Sequence, residues 1–393
     1  MIVRWLLPTF LICCWTAVAA GQISGQFYLE KSTFAPGEPI FLYFQIINDG
    51  ATAQDVVSAD PYSFCSGYQI NVSSDRSPRS SCAPSVGGAG SCLSSLTALR
   101  AGKKHVERLL LNFDHTVDIP GDYTVEAVRY LSDVNKGVDY SRAVNNIVEI
   151  RTTLYFRVDQ NATMDPKAFQ SWVDQLQSRD PIRLSEAART LASLAPPSLE
   201  DTLLTFADIP DFRQFAPLAF HRLHTPRSMA AMAELLKTQP GTFEHMESAR
   251  YLGESGDPQW FPLLLEVAQK NARISNYVGA AARLGGDKVL PTLVSLAGSG
   301  DKEFTRINAV TAMGSTGSRA AVPILLGFLK SPDKDIAESA RYALRLLTHR
   351  TASYDQEGTP QFEYPTWSRW WAQEGTTAPI YKDTECGDFV LLQ

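Results

Sequence analysis

Three stretches decide the fold of the C-terminal half: Ala249-Arg250-Tyr251-Leu252-Gly253, Ala282-Arg283-Leu284-Gly285 and Ala309-Val310-Thr311-Ala312-Met313-Gly314. Each is followed by a second glycine, Gly256, Gly286 and Gly317, and then by Pro262-Leu263-Leu264, Pro291-Thr292-Leu293 or Pro323-Ile324-Leu325. The spacing of the second glycines is 30 and then 31 residues, the signature of stacked supersecondary units. Small alanines let paired helices approach, glycine closes one helix, and proline with the leucines after it opens the next. No such unit buries its apolar face alone, so the units must stack into an α-solenoid.

Outward from this core, helical periodicity runs over 163–351. It begins at Asp165-Pro166, where aspartate caps the helix and proline takes the first helical position, and it includes divergent pairs over 165–195, 199–224 and 226–253. Before it, over 23–158, the period is two. Segments 39–47, 66–72, 106–113, 123–131 and 146–157 read as strands rich in Ile, Val, Phe and Tyr between Gly, Pro, Asn and Asp turns. That pattern predicts an immunoglobulin-like β-sandwich of about seven strands. Pro120-Gly121-Asp122-Tyr123 places a tyrosine directly after a turn, where its hydroxyl is expected to pin the corner. Residues 73–95, rich in Ser, Gly and Pro, read as a long exposed loop.

The N-terminus carries one charge, Arg4, an apolar run over 5–15 and the small residues Ala17, Val18, Ala19 and Ala20. This predicts a signal peptide over 1–20 and an exported protein, periplasmic or secreted. The competing membrane anchor is disfavoured because Pro8 breaks a run already short of the roughly 20 residues that span a bilayer. No transmembrane anchor is therefore expected after cleavage. Cys65, Cys82, Cys92 and Cys386 would remain, and four cysteines in an exported chain imply disulfides. The preferred pairing is Cys82 with Cys92, then Cys65 with Cys386; zinc is the rival reading, without CxxC spacing to support it.

At the other end, residues 352–393 form a cap or tail. Thr366 is expected to cap a short helix with Trp367, Trp370 and Trp371 on one face, read as a lid on the last repeat rather than a sugar platform. Residues 389–392 are strand-like.

The Gly/Ala/Pro/Leu pattern over 165–350 resembles HEAT repeats, the phycobilisome-lyase-type HEAT repeats among them. Thr305-Arg306-Ile307-Asn308-Ala309 after Asp301 is similar to the family's start of a second helix, and Ile336-Ala337-Glu338-Ser339-Ala340 after Asp333 matches except that Ala337 replaces the usual Arg. With Phe64-Cys65-Ser66-Gly67-Tyr68 and Trp367-Ser368-Arg369-Trp370-Trp371, the whole resembles exported HEAT-repeat proteins of environmental bacteria. The resemblance implies a scaffold for a protein partner; lyase activity does not follow from the repeat.

A net charge of −6 without any Lys/Arg run argues against nucleic acid. GxSxG, GxxxxGK, HExxH and GxGxxG are absent, so no catalytic, metal or cofactor-binding residue is assigned. Ser331-Pro332-Asp333-Lys334 has SxxK spacing but falls in an inter-helix turn. His221 and His224 would share a helix face, and His105 and His115 lie beside a strand; the plainer reading is packing rather than ligation. Arg250, Arg283, Arg306, Arg341 and Arg345 fall on the second helices, where a row of guanidiniums would grip an acidic segment of a protein partner. The plainer reading pairs them with Glu247, Glu303 and Glu338. Two further function classes stay open: a hydrolase or carbohydrate-active protein with a site between the domains, and a protease-inhibitor-like module using the 73–95 loop.

Overall fold

The computed structural model describes residues 23–59, 68–74, 94–115, 117, 119–132, 147–164, 168–237, 240–299, 303–350, 360–383 and 389–392. The signal segment, Asp165-Pro166, Cys65, Cys82, Cys92 and Cys386 lie outside the described residues, as does most of the 73–95 loop.

The N-terminal part is built from nine described strands: β1 (Ile23–Leu29), β2 (Thr33–Phe34), β3 (Phe41–Asn48), β4 (Gln54–Ala59), β5 (Tyr68–Ser74), β6 (Ser94–Leu99), β7 (Lys104–Leu110), β8 (Gly121–Ser132) and β9 (Ile147–Val158). They form one sheet in the order β1-β3-β7, a second in the order β2-β9-β8-β5, and a β4-β6 pair. Alternation places Leu42, Phe44 and Ile46 of the first sheet and Val125, Ala127, Phe156 and Val158 of the second in a single core. The strand expected over 106–113 stops at Leu110, and Leu111–Asp114 form one helical turn, α1. Asn112 explains the change. Its Oδ1 accepts from the Ile40 amide at 2.7 Å and its Nδ2 donates to the Glu38 carbonyl at 3.1 Å, so the side chain takes over pairing that a ladder would have supplied. The turn sends Leu111 into the sheet core and Phe113 into the helical core.

The helices are α2 (Ala168–Gln175), α3 (Pro181–Leu194), α4 (Glu200–Leu204), α5 (Ala216–Leu223), α6 (Pro226–Leu235), α7 (Phe243–Glu254), α8 (Phe261–Lys270), α9 (Ser275–Gly285), α10 (Leu290–Ala297), α11 (Glu303–Met313), α12 (Ala321–Phe328), α13 (Lys334–Thr348) and α14 (Pro360–Glu374). Helices α7, α9, α11 and α13 lie side by side in one layer, with α8 against α9, α10 against α11 and α12 against α13. Among the described residues no helix is long and apolar enough to cross a membrane.

The repeat glycines do two different jobs. Gly253 lies inside α7 rather than ending it, and a Cβ there would come within 2.8 Å of the Ala280 backbone. Gly314 meets Ala343 in the same way at 2.7 Å. The second glycines carry the reversal: Gly256, Gly286 and Gly317 have φ of 71°, 52° and 64°, a left-handed region that penalises a Cβ.

The two parts meet at α2 and α3. Phe41 stacks on Trp172 with centroids 5.7 Å apart, the Arg108 guanidinium lies 5.0 Å over Phe41, and Arg108 donates through Nε and Nη2 to both carboxylate oxygens of Glu186. Cation–π and bidentate contacts thus reinforce a shared apolar seam.

At the C-terminus α14 starts at Pro360, so Thr366 lies within the helix rather than at its cap. Trp367 and Trp370 are buried in the solenoid core, with their indole N–H groups donating to Glu363 and Glu374 at 3.1 Å each. β10 (Ile380–Asp383) and β11 (Phe389–Leu392) form an antiparallel hairpin. Ile380 is buried in the solenoid core and Tyr381 stacks on His349 at 4.1 Å. Arg319 Nη2 donates to the Ala378 carbonyl at 2.7 Å, which ties the start of the hairpin to the last repeats.

Candidate functional site

The layer α7, α9, α11, α13 carries all five arginines singled out above, and its alanines explain why. Ala249, Ala280, Ala309, Ala340 and Ala343 are fully buried, so the helices approach closely and only long side chains reach past them.

The arginines do not form an open row. Arg250 is 3% exposed: its Nε donates to Glu247 Oε2 at 3.1 Å, Nη1 lies 3.7 Å from Glu254 Oε1, and the guanidinium covers Tyr251 at 4.0 Å. Arg283 is 5% exposed. Both are therefore closed to a large partner, which corrects the expectation for these two positions. The reason for Arg250 is local, since glutamates three residues before and four after lie on the same helix face. Arg306 Nη1 reaches Asp333 Oδ2 at 3.2 Å and its Nε donates to the Ala297 carbonyl at 3.3 Å; its partner is Asp333 of the next repeat, not Glu303. Arg341 pairs with Glu338 and, at 3.3 Å, with Glu363 of α14. Arg345 is half-buried in the last turn of α13.

What this layer does expose is aromatic. Phe304 of α11 is 60% exposed and Tyr342 of α13 is 53% exposed. Sequence reasoning passed over both, although the signal was present. The core stripe of α11 runs through Thr305, Ala309 and Ala312 and that of α13 through Ile336, Ala340 and Ala343, leaving Phe304 and Tyr342 out of phase.

His115 and His221 are packed against their surroundings, whereas His224 is exposed and His105 partly so. The His221 ring stacks on Tyr251 at 4.2 Å. Burial, with Arg222, Arg250 and His224 adding repulsion, pushes its pKa down to about 3, and burial lifts the Tyr251 hydroxyl to about 12. His224 turns away at φ 50°, ending α5. His115 is buried, which lowers its pKa to about 4. No group of three or more His, Cys, Asp or Glu among the described residues is placed to hold a metal. The SxxK stretch is a capping turn: Ser331 Oγ accepts from the Asp333 amide at 3.2 Å, and Asp333 caps α13.

The N-terminal sheets contain a second polar cluster. The Tyr68 hydroxyl donates to Glu107, Arg129 Nη2 lies 3.5 Å from the same carboxylate, and the Arg129 guanidinium covers Tyr68 at 4.4 Å. Burial first, then the Glu107 charge, drives the Tyr68 hydroxyl far above its ordinary pKa. The cluster joins β5, β7 and β8 across the two sheets.

Against known proteins, the family model described as HEAT repeats matches residues 272–345, which contain α9 to α12 and most of α13. No curated protein matches the chain. Among solved structures it is similar to the complex of CpcE and CpcF of phycocyanin lyase from Nostoc sp. PCC7120, with 14% identity over 55% of this chain and 97% of that one and a TM-score of 0.33. It is also similar to human deoxyhypusine hydroxylase in complex with glycerol, with 18% identity over 47% of this chain and 75% of that one and a TM-score of 0.26.

Proposed function

We propose that this chain is an exported, non-enzymatic interaction scaffold whose solenoid binds a protein partner, with an N-terminal immunoglobulin-like sandwich supplying a second surface. The observation that carries the reading is the exposure of Phe304 and Tyr342 on consecutive second helices of a repeat array. On the same two helices Arg306 and Arg341 are held by Asp333, Glu338 and Glu363. Exposed aromatic side chains and arginines are the residue types enriched at protein interfaces. The two-sheet core and the Tyr123 corner support the immunoglobulin-like reading of the N-terminal part. The apolar run over 5–15 and the small residues after it support export.

The test is capture from an envelope extract by the full chain, followed by measurement of the captured partner's affinity for variants. Phe304→Ala with Tyr342→Ala is expected to weaken binding by about a hundredfold, as loss of two interface aromatics does. Binding unchanged in the double variant, or turnover of a substrate by the purified chain, overturns the reading. Recovery of the chain in the cytoplasmic fraction overturns export.

A further inference from the structure

We propose that the outer face of the β2-β9-β8-β5 sheet binds a neutral oligosaccharide. A depression of about 500 Å³ lies on this sheet, lined among others by Ser32, Ser73, Asp122, Thr124, Tyr155 and Arg157. The ladder register explains how it forms. Ser73 pairs with Thr124 and Thr124 with Tyr155, so these three side chains stand in one row across β5, β8 and β9. Asp122 pairs with Arg157, and that row stands on the same face two residues away. Their ladder neighbours Tyr123 and Phe156 point the other way, buried and stacked in parallel at 4.9 Å beneath the depression.

Tyr155 is 70% exposed in the midst of these hydroxyl and charged groups. An exposed aromatic ring among hydrogen-bonding groups matches a pyranose, whose C–H face packs on the ring while its rim of hydroxyls needs both donors and acceptors. The rim supplies both. Ser73 and Thr124 offer hydroxyls; Asp122 Oδ1 and Arg157 Nη1, 3.8 Å apart, offer a carboxylate acceptor and a planar donor suited to vicinal hydroxyls. That pair cancels in charge, and the next row adds the carboxylate of Glu126, which accepts from Asn71 at 3.4 Å. An anionic ligand is thereby disfavoured and a neutral one selected. Neighbouring strands lie about 4.8 Å apart, so the row from Ser73 to Tyr155 spans roughly 10 Å, the length of about two pyranose rings in a chain.

The experiment is calorimetric titration of the full chain with cellohexaose, laminarihexaose, maltohexaose and chitohexaose, and with an oligogalacturonate as the anionic comparison. At least one neutral oligomer is expected to bind saturably and the oligogalacturonate not to. Tyr155→Ala should weaken the neutral ligand about tenfold, Tyr155→Phe should leave it unchanged because the face of the ring is kept, and Asp122→Ala should weaken it by a similar factor. The thermal midpoint of Tyr155→Ala should match the parent, since the side chain is largely outside the core. No binding of any neutral oligomer, tighter binding of the oligogalacturonate, or undiminished affinity in Tyr155→Ala each overturns the proposal. The solenoid's capture of its partner, lost in the Phe304/Tyr342 variant, should be untouched by Tyr155→Ala.

Discussion

The Tyr123 hydroxyl donates a 2.7 Å hydrogen bond to the carbonyl of Ile119, four residues back, while its ring lies parallel to Phe156 at 4.9 Å. One side chain thus closes the turn into β8 and fills the core between the sheets. Tyr123→Phe should keep the ring contact and lose the bond, lowering stability by about 1 kcal/mol in urea denaturation. Tyr123→Ala should cost about 3 to 5 kcal/mol. A Phe variant as stable as the parent would show that the corner bond adds nothing.

Among the glycines, position decides the sign. Gly253→Ala and Gly314→Ala drive a methyl group into the backbones of Ala280 and Ala343 and should each cost about 2 kcal/mol or more. Gly327 lies within α12 with nothing within 4 Å of a Cβ. Gly327→Ala should therefore stabilise, by about 0.5 to 1 kcal/mol through helix propensity. Thermal unfolding of the three variants side by side checks the contrast.

Where sheet and solenoid meet, the Arg108–Glu186 pair is partly exposed, so a double-mutant cycle should return only about 0.5 to 1 kcal/mol of coupling. Trp172 beneath it is buried, and Trp172→Ala should cost about 3 kcal/mol or more. Calorimetry of the parent should show one transition for both parts. The variant Trp172→Ala with Arg108→Ala should show two, because the seam is what couples them.

Acid should destabilise the chain through its buried histidines. His115 and His221 have folded pKa values of about 4 and about 3, below the 6.5 of an unfolded histidine. The unfolded state therefore binds protons first as pH falls. Their contribution is fully present above about pH 6.5 and is lost progressively down to about pH 4 and pH 3, at no more than about 1.4 kcal/mol per pH unit for each. Urea midpoints at pH 7.5 and 5.0 should differ less for His221→Gln than for the parent; an equal difference would place the acid sensitivity elsewhere.

Much of the architecture was legible because it is written in short-range spacing. The alanines of 249–253, 282–285 and 309–314 are buried and Gly253 and Gly314 meet a neighbouring repeat, and the runs around Phe44, Val125 and Phe156 alternate cleanly. Elements that depend on distant partners were missed. β2 is two residues long and exists because it pairs in parallel with the end of β9; β4 and β6 pair across a long intervening segment. The site was less legible still. Glu247 could be matched to Arg250 from helix spacing alone, but Asp333 as the partner of Arg306, and Glu363 as a partner of Arg341, come from other elements.

By itself, then, the chain's order of residues determined two periodicities and hence a sheet region followed by a stacked helical array, because local geometry obliges alternating and 3.6-residue patterns to bury one face each. Tertiary structure alone decided which distant groups meet. Asp333 reaches Arg306, Glu363 reaches Arg341 and Trp172 stacks on Phe41, since each partner comes from another element and no local pattern encodes its approach.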